Sequence, residues 1–423
     1  MKQPIFATLT LLLGMTVAKT GTGLASDTPT REELWQMLQD QQREIGQLKL
    51  KLEKATTARN TPPPGQNPSA APSGREPPSQ ATNASGLKWS DRIHLGGTVE
   101  VEANWNNNHD GDFTTARREE SDVTLATAEL TAEARLHDWV SSKVVLLHEE
   151  NGSDKEIDVD SATITLANPR VTPAFLTAGL LTLPFGRFET LMISDPLTLD
   201  LGETTESAVQ SGFSYSHYSG SIYLFNGDAE KSGTDSHLRG FGGNLSYDRD
   251  YNFAKVHFGS DLISTLEDAN FITDSDVDET TMRRHIPGLS LHGSLETGPW
   301  TGLAEYVTAM KEFDPGELLW NGGGARPWTL NTELGYGWIW MGYGGMVAVG
   351  YQQTGEAGGL LMPQRRLRGG VSVVLFPNTN LSFEWAHDQD YKVSDSSSVE
   401  GGPVRAGTDE TSNSATMQLA VGF

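Results

Sequence analysis

Four of the five carboxylates from Gly186 to Glu206, namely Asp195, Asp200, Glu203 and Glu206, share a segment rich in apolar residues. Acids carried by an otherwise hydrophobic segment are suited to lining a narrow aqueous passage, where fixed charge selects among solutes. Four arginines, Arg135, Arg284, Arg366 and Arg368, fall at inward-facing positions of strand-like segments and are the candidates for a basic wall opposite those acids. Each arginine can equally neutralise nearby carboxylates or sit at a rim. Catalytic sets are scarce. There is no G-x-S-x-G, no H-E-x-x-H and no Cys, so no nucleophilic or zinc chemistry of those kinds is indicated. His148-Glu149-Glu150 lacks a second His at ligand spacing. His292 and Ser294 share one parity, yet no carboxylate in the sequence orients the histidine. Asp274, Asp276 and Asp278 alternate like the start of a calcium loop, but its Gly and terminal Glu are missing. Neither an enzymatic activity nor a cofactor or metal is expected.

The acids would have to be held by strands. From Asn413 to Phe423 the chain alternates without a break: Ala415, Met417, Leu419, Val421 and Phe423 oppose Ser414, Thr416, Gln418, Ala420 and Gly422. Such period-two alternation places one face in an apolar medium and the other in a polar one. A strand in lipid cannot leave an open edge, so one of them implies a closed barrel of many. The competing reading is an edge strand of a soluble β-sandwich. Val99, Val101, Ala103 and Trp105 oppose Glu100, Glu102 and Asn104; Leu330, Leu334, Tyr336, Trp338 and Trp340 oppose Asn331, Glu333 and Gly335. Sixteen such strands are expected between 87 and 423. Very short turns, such as Asp248-Arg249-Asp250, Thr297-Gly298-Pro299 and Pro377-Asn378, alternate with long polar loops. The fold class is therefore all-β: a transmembrane antiparallel β-barrel with short periplasmic turns and long outer loops. Trp139, Trp300, Trp328 and Trp340 fall near strand ends and suit interfacial girdles.

The segment before the barrel divides in three. Residues 1–25 carry Lys2, an apolar core from Ile5 to Val17 and Gly23-Leu24-Ala25, the pattern of a secretory signal. Within 26–58, Leu34, Leu38, Gln41, Ile45, Leu48, Leu52 and Ala55 form a heptad pattern that serves either a coiled-coil neck or a lone amphipathic helix. Residues 59–86 hold seven prolines and read as an extended spacer. The remainder carries 48 acids and 22 bases, a net charge of −26. That excludes a nucleic-acid partner, and it fits either a cation-favouring lumen or the acidity common to exported proteins.

Between the fifth and sixth strands the chain reads RFETLMISDPLTLDLGETTE, with Phe188, Leu191, Met192, Ile193, Leu197, Leu199 and Leu201 among the acids. A loop facing only water has no use for seven apolar side chains, so this one is expected to fold back against the inner wall. The stretch LTLPFGRFETLMISDPLTLDLGETTES, Leu181 to Ser207, resembles the signature of LbtU-type siderophore porins, and the heptad neck, Pro-rich spacer and terminal Phe423 agree with that likeness. The resemblance implies an outer-membrane channel for ferric siderophore uptake without an energised plug. By similarity, general diffusion porins also fold their third outer loop inward, acids facing arginines. The expected partners are outer-membrane lipid, a small hydrophilic solute or ferric siderophore, and further copies of the chain in a homotrimer. A structural tether to the cell wall and a barrel hydrolase remain the alternative functions.

Overall fold

The computed structural model describes residues 92–107, 119–150, 157–227, 239–273, 284–399 and 402–423. The expected signal peptide (1–25), neck (26–58) and spacer (59–86) lie outside the described residues, as do Asp274, Asp276 and Asp278. Sixteen antiparallel strands close into a barrel. In chain order they are β1 Ile93–Asn106, β2 Glu120–His137, β3 Val140–Glu149, β4 Asp158–Ala167, β5 Ala174–Thr182 and β6 Thr205–Tyr215. There follow β7 Tyr218–Phe225, β8 Gly240–Asp250, β9 Lys255–Ile263, β10 Gly288–Thr297 and β11 Trp300–Ala309. The last five are β12 Trp328–Trp340, β13 Tyr343–Gly355, β14 Arg365–Phe376, β15 Thr379–Gln389 and β16 Thr411–Gly422. β16 pairs with β1 from Thr98↔Gly422 to Asn106↔Ser414 and removes both edges of the sheet. The amide of Phe423 donates to the Gly97 carbonyl at 3.0 Å, and its ring occupies the space a side chain at Gly97 would need.

The pleat sorts the side chains as the alternation predicts. Val99, Val101 and Trp105 on β1, and Met417, Leu419 and Val421 on β16, point outward and are exposed. On the inner face Gln418 donates to Glu102 at 2.9 Å and to Glu100 at 3.3 Å. Aromatic residues gather at the short turns: Trp139, Tyr215, Tyr218, Tyr251, Phe253, Trp300, Trp340 and Tyr343 are all exposed there, the placement expected at a membrane–water boundary.

The strand limits differ from expectation in two places that bear on function. β8 runs on to Asp250, so Asp248 is an inward strand residue opposite His257 rather than part of a turn. β10 begins at Gly288, which leaves Arg284 outside the barrel wall. An apolar core fills one side of the outer mouth. Leu183, Phe185 and Leu201 from the β5–β6 connection pack with Tyr223, Phe225, Ile263 and Val307 of the wall, and with Leu266, Ile272, Phe313, Leu318 and Leu360 from other outer connections. Segments of the β11–β12 and β15–β16 connections add a small four-stranded sheet, in which Leu318–Trp320 pairs with Ser396–Val399.

The two faces make opposite predictions for neighbouring residues. Leu419→Arg puts a charge on the lipid side at a cost of about 2–4 kcal/mol near the midplane, whereas Gln418→Lys places its charge beside Glu100 and Glu102. The folded, heat-modifiable band on a denaturing gel is expected to fall sharply for Leu419→Arg and to persist for Gln418→Lys. Equal loss in both variants would mean that the inward and outward faces are assigned wrongly.

Candidate functional site

The connection between β5 and β6, residues 183–204, crosses the lumen. A segment in that position lacks a neighbouring strand, so its backbone N–H groups must find other acceptors. They find carboxylates on the opposite inner wall. Gly186 donates to Asp261 of β9 at 2.9 Å. Arg187 and Phe188 donate to the two oxygens of Glu305 on β11, at 2.7 and 2.9 Å. Leu191 donates to Glu333 of β12 at 2.5 Å, joined by the Thr190 hydroxyl at 2.9 Å. Ile193 and Ser194 donate to Glu384 of β15 at 2.6 and 3.0 Å. All four carboxylate residues are buried. Six backbone amides between Gly186 and Ser194 are thus pinned, to four different strands.

Arg368 of β14 holds the carbonyl side. Its guanidinium donates to the Ser194 carbonyl at 2.6 Å, to the Asp195 carbonyl at 3.3 Å and to Glu333 at 2.6 Å. With 1% of its surface exposed it is a structural clamp and offers no charge to the lumen. The apolar loop residues enter gaps left by inner-wall glycines. Leu191 fills the space beside Gly335, and Met192 lies over Gly350 and Gly370. At the loop root Gly186 has φ 85°, and the ring of Phe188 covers both Gly186 and Gly202. A side chain at Gly186 would meet that ring as well as backbone strain.

With one flank bound, the other faces the lumen. Asp195 is exposed, and Asp200 and Glu203 are half-buried. Burial is the main cause that raises all three carboxyls above their ordinary range. Asp195 is also raised by Glu102 and Glu384 and lowered by Arg368. Asp200 is pushed up to about 6, with Arg366 opposing the shift. Glu203 is pushed up to about 7, its neighbours Asp195, Asp160, Glu149 and Asp200 all adding to the effect. The groups across the gap are therefore acids of β1, β3 and β4.

The expected site residues separate accordingly. Asp195, Asp200 and Glu203 come together on the free edge of the loop. Glu206 does not join them: β6 starts at Thr205, so Glu206 is a buried wall residue. Of the four expected basic residues, Arg366 and Arg368 lie near Asp200 and Asp195, but wall carboxylates hold both. Arg366 is bound to Asp388 through two contacts of 2.8 and 2.9 Å, and Arg368 clamps the loop on its bound flank. Arg284 bonds the carbonyls of Glu312 and Phe313 in the next outer connection, and Arg135 sits exposed next to the short β2–β3 turn. An arginine two residues from a strand's end, or one just outside a strand, keeps the right parity in sequence while missing the site. Asp261, Glu305, Glu333 and Glu384 were the residues that sequence did not single out. Their signal is faint: single acids whose inward neighbours two positions away, such as Gly259, Val307, Asn331 and Ser382, are uncharged. His292 does have an orienting carboxylate, Asp261 at 3.0 Å, although Ser294 takes no part.

Glu384→Ala removes the acceptor for two amides and the Ser194 hydroxyl, hydrogen bonds to a charged group worth about 1.5–3 kcal/mol each. Amide exchange at Ile193 and Ser194 is expected to accelerate more than tenfold while the barrel keeps its heat-modifiable band. Unchanged exchange would show that the loop is held by its apolar contacts alone.

No family model matches the chain. A UPF0422 protein of Coxiella burnetii is 25% identical over 307 residues, 71% of this chain and 65% of that protein. UPF0422 protein lpl2888 of Legionella pneumophila (strain Lens) is 28% identical over 326 residues, 71% of this chain and 60% of its own length. The chain thus spans less than two thirds of the length of these relatives. Among solved structures, the outer membrane channel DcaP of Acinetobacter baumannii superposes with a TM-score of 0.52 at 12% identity, over 80% of this chain and all of that one. An anion-selective porin from Comamonas acidovorans gives 0.51 at 13% identity over 78% and 99%. What this chain shares with them is the fold: the closed barrel of outer-membrane channels.

Proposed function

We propose that this protein is an outer-membrane porin, a water-filled passive channel for small hydrophilic solutes that favours cationic and neutral over anionic ones. The observation that carries the reading is the loop 183–204, pinned to β9, β11, β12 and β15 so that its acidic edge faces the acids of β1, β3 and β4. A narrowed lumen with carboxylates on both sides repels anions, the opposite preference to that of the anion-selective Comamonas porin of similar fold. The aromatic rim and the fold of the outer-membrane neighbours support the outer membrane as its location.

The solute is proposed more narrowly from the resemblance of Leu181–Ser207 to siderophore porins: a ferric siderophore, entering without an energised plug. The acidic gap admits a neutral or cationic chelate more readily than an anionic one. Growth on such a chelate as sole iron source, with and without the protein, tests this directly. Loss of growth limited to the deleted strain supports it, and equal growth rejects it. The segments outside the described residues are proposed as a cleaved signal (1–25), a periplasmic coiled-coil neck (26–58) and a spacer (59–86), joining copies into a homotrimer. Deleting 27–86 is expected to weaken the trimer on a native gel and leave a folded barrel.

Conductance supplies the decisive test. In planar bilayers the protein is expected to form open channels with cation preference, read from the reversal potential under a salt gradient. Asp195→Asn, Asp200→Asn and Glu203→Gln together should move that potential toward zero. The pH dependence has a definite sign. Carboxyls raised to about 6 and about 7 are ionised above those values and neutral below them, so cation preference is full above about pH 8 and declines as pH falls through 7 and then 6. Absence of conductance would reject the porin reading; a reversal potential indifferent to the three substitutions would place the constriction elsewhere.

A further inference from the structure

Beside the loop root, four side chains from three strands form one hydrogen-bonded chain. His257 Nδ1 lies 2.6 Å from Asp248 Oδ1, His257 Nε2 lies 2.9 Å from His292 Nδ1, and His292 Nε2 lies 3.0 Å from Asp261 Oδ2. The two imidazoles are near-parallel, with an interplanar angle of 10°. Gly259 leaves the room that the His292 ring occupies. Both histidines and Asp261 are buried, while Asp248 reaches water at the short-turn side.

Proton counting constrains this chain. Its three gaps require one proton each. Two ionised carboxylates supply none, so the four ring nitrogens must hold three protons, and one ring of the pair is a cation. Removing a proton leaves one gap without a donor. Adding a fourth puts a hydrogen on both His257 Nε2 and His292 Nδ1, which face each other across 2.9 Å, and that contact becomes repulsive. The chain is complete in one protonation state only.

Both of its ends touch the loop root. Asp261 Oδ2 also accepts the Gly186 amide, and Arg187 stands 3.9 Å from Asp248. The other charged or titratable groups facing the chain are Arg187 and Glu189 of the loop, which pair at 2.6 Å, Glu305 from β11 and the Tyr223 hydroxyl from β7. A fourth proton adds positive charge beside the Arg187 guanidinium, so it strains the chain and the loop root together.

We propose that the Asp248–His257–His292–Asp261 chain is a proton-operated latch, which holds the root of loop 183–204 near neutral pH and releases it when the histidine pair becomes doubly charged. The inference rests on the inward-folded loop and not on conduction, so its test is made without current. Backbone amide exchange of Gly186 and Arg187 in the full chain in detergent is compared with that of Leu295 in β10, from about pH 7.5 to about pH 4.5, a span that includes the ordinary imidazole value of about 6.5. After correction for the intrinsic pH dependence, the ratio is expected to rise about tenfold on acidification in the native protein and to stay flat in His257→Gln/His292→Gln. If that double variant does not fold, Asp248→Asn serves instead: it removes one of the two carboxylates that favour extra protons, and should shift the rise to lower pH. A flat ratio in the native protein, a rise that survives the double variant, or an unshifted rise in Asp248→Asn would overturn the latch. A pH-dependent ratio in a barrel that carries no current would reject the porin reading and leave the latch standing.

Discussion

The structure depends on how a bare stretch of backbone is satisfied inside a barrel. Lumen-crossing loops have no ladder partner, and an unmade hydrogen bond in a buried position costs about 1–3 kcal/mol. Here the acceptors are four buried carboxylates, and the dependence runs both ways. An ionised carboxylate taken out of water carries a penalty of several kcal/mol, which is offset only when donors converge on it. Glu305 receives two amides and the hydroxyls of Thr198 and Ser290. Glu333 receives an amide, a hydroxyl, the Asn331 side chain and the Arg368 guanidinium. Loop and wall therefore stabilise one another: neither set of polar groups is tolerable without the other.

That mutual requirement makes the lumen lopsided. Apolar packing and bound charge occupy the side from β6 to β15, where the loop lies, and Arg366 and Arg368 are consumed there by Asp388, Glu333 and the loop carbonyls. The acids of β1, β3 and β4 have no comparable cations facing them in the loop. Free negative charge accumulates along a single channel between the loop edge and this wall, which is why burial and mutual repulsion act together on Glu203.

The strands were readable because a lipid-facing sheet repeats every two residues and tolerates few exceptions. All sixteen can be traced that way, with errors of a few residues at ends where alternation fades into turn or loop. Those few residues mattered. Ending β8 at Asp248 conceals its partnership with His257, and starting β10 at Arg284 turns a loop tie into a wall charge. The inward path of the β5–β6 loop was legible from its apolar content, since Leu191 and Met192 need a surface to cover. The wall acids that bind it were not. A carboxylate serving a distant backbone amide looks the same in sequence as one bathed in lumen water, and the partners lie 75 to 191 positions apart. The histidine chain was hidden for a related reason, because it exists only once β8, β9 and β10 are in register.

The wall grips the loop by main-chain amides at Gly186, Arg187, Phe188, Leu191, Ile193 and Ser194, and the hydroxyls of Thr190, Ser194 and Thr198 add to that hold. The residues on the free edge, Asp195, Asp200 and Glu203, are not anchors. Anchorage and selectivity thus fall to separate sets of residues along one loop. A descendant of this barrel could exchange the edge for another chemistry, acquiring a different diet of solutes while keeping the same architecture.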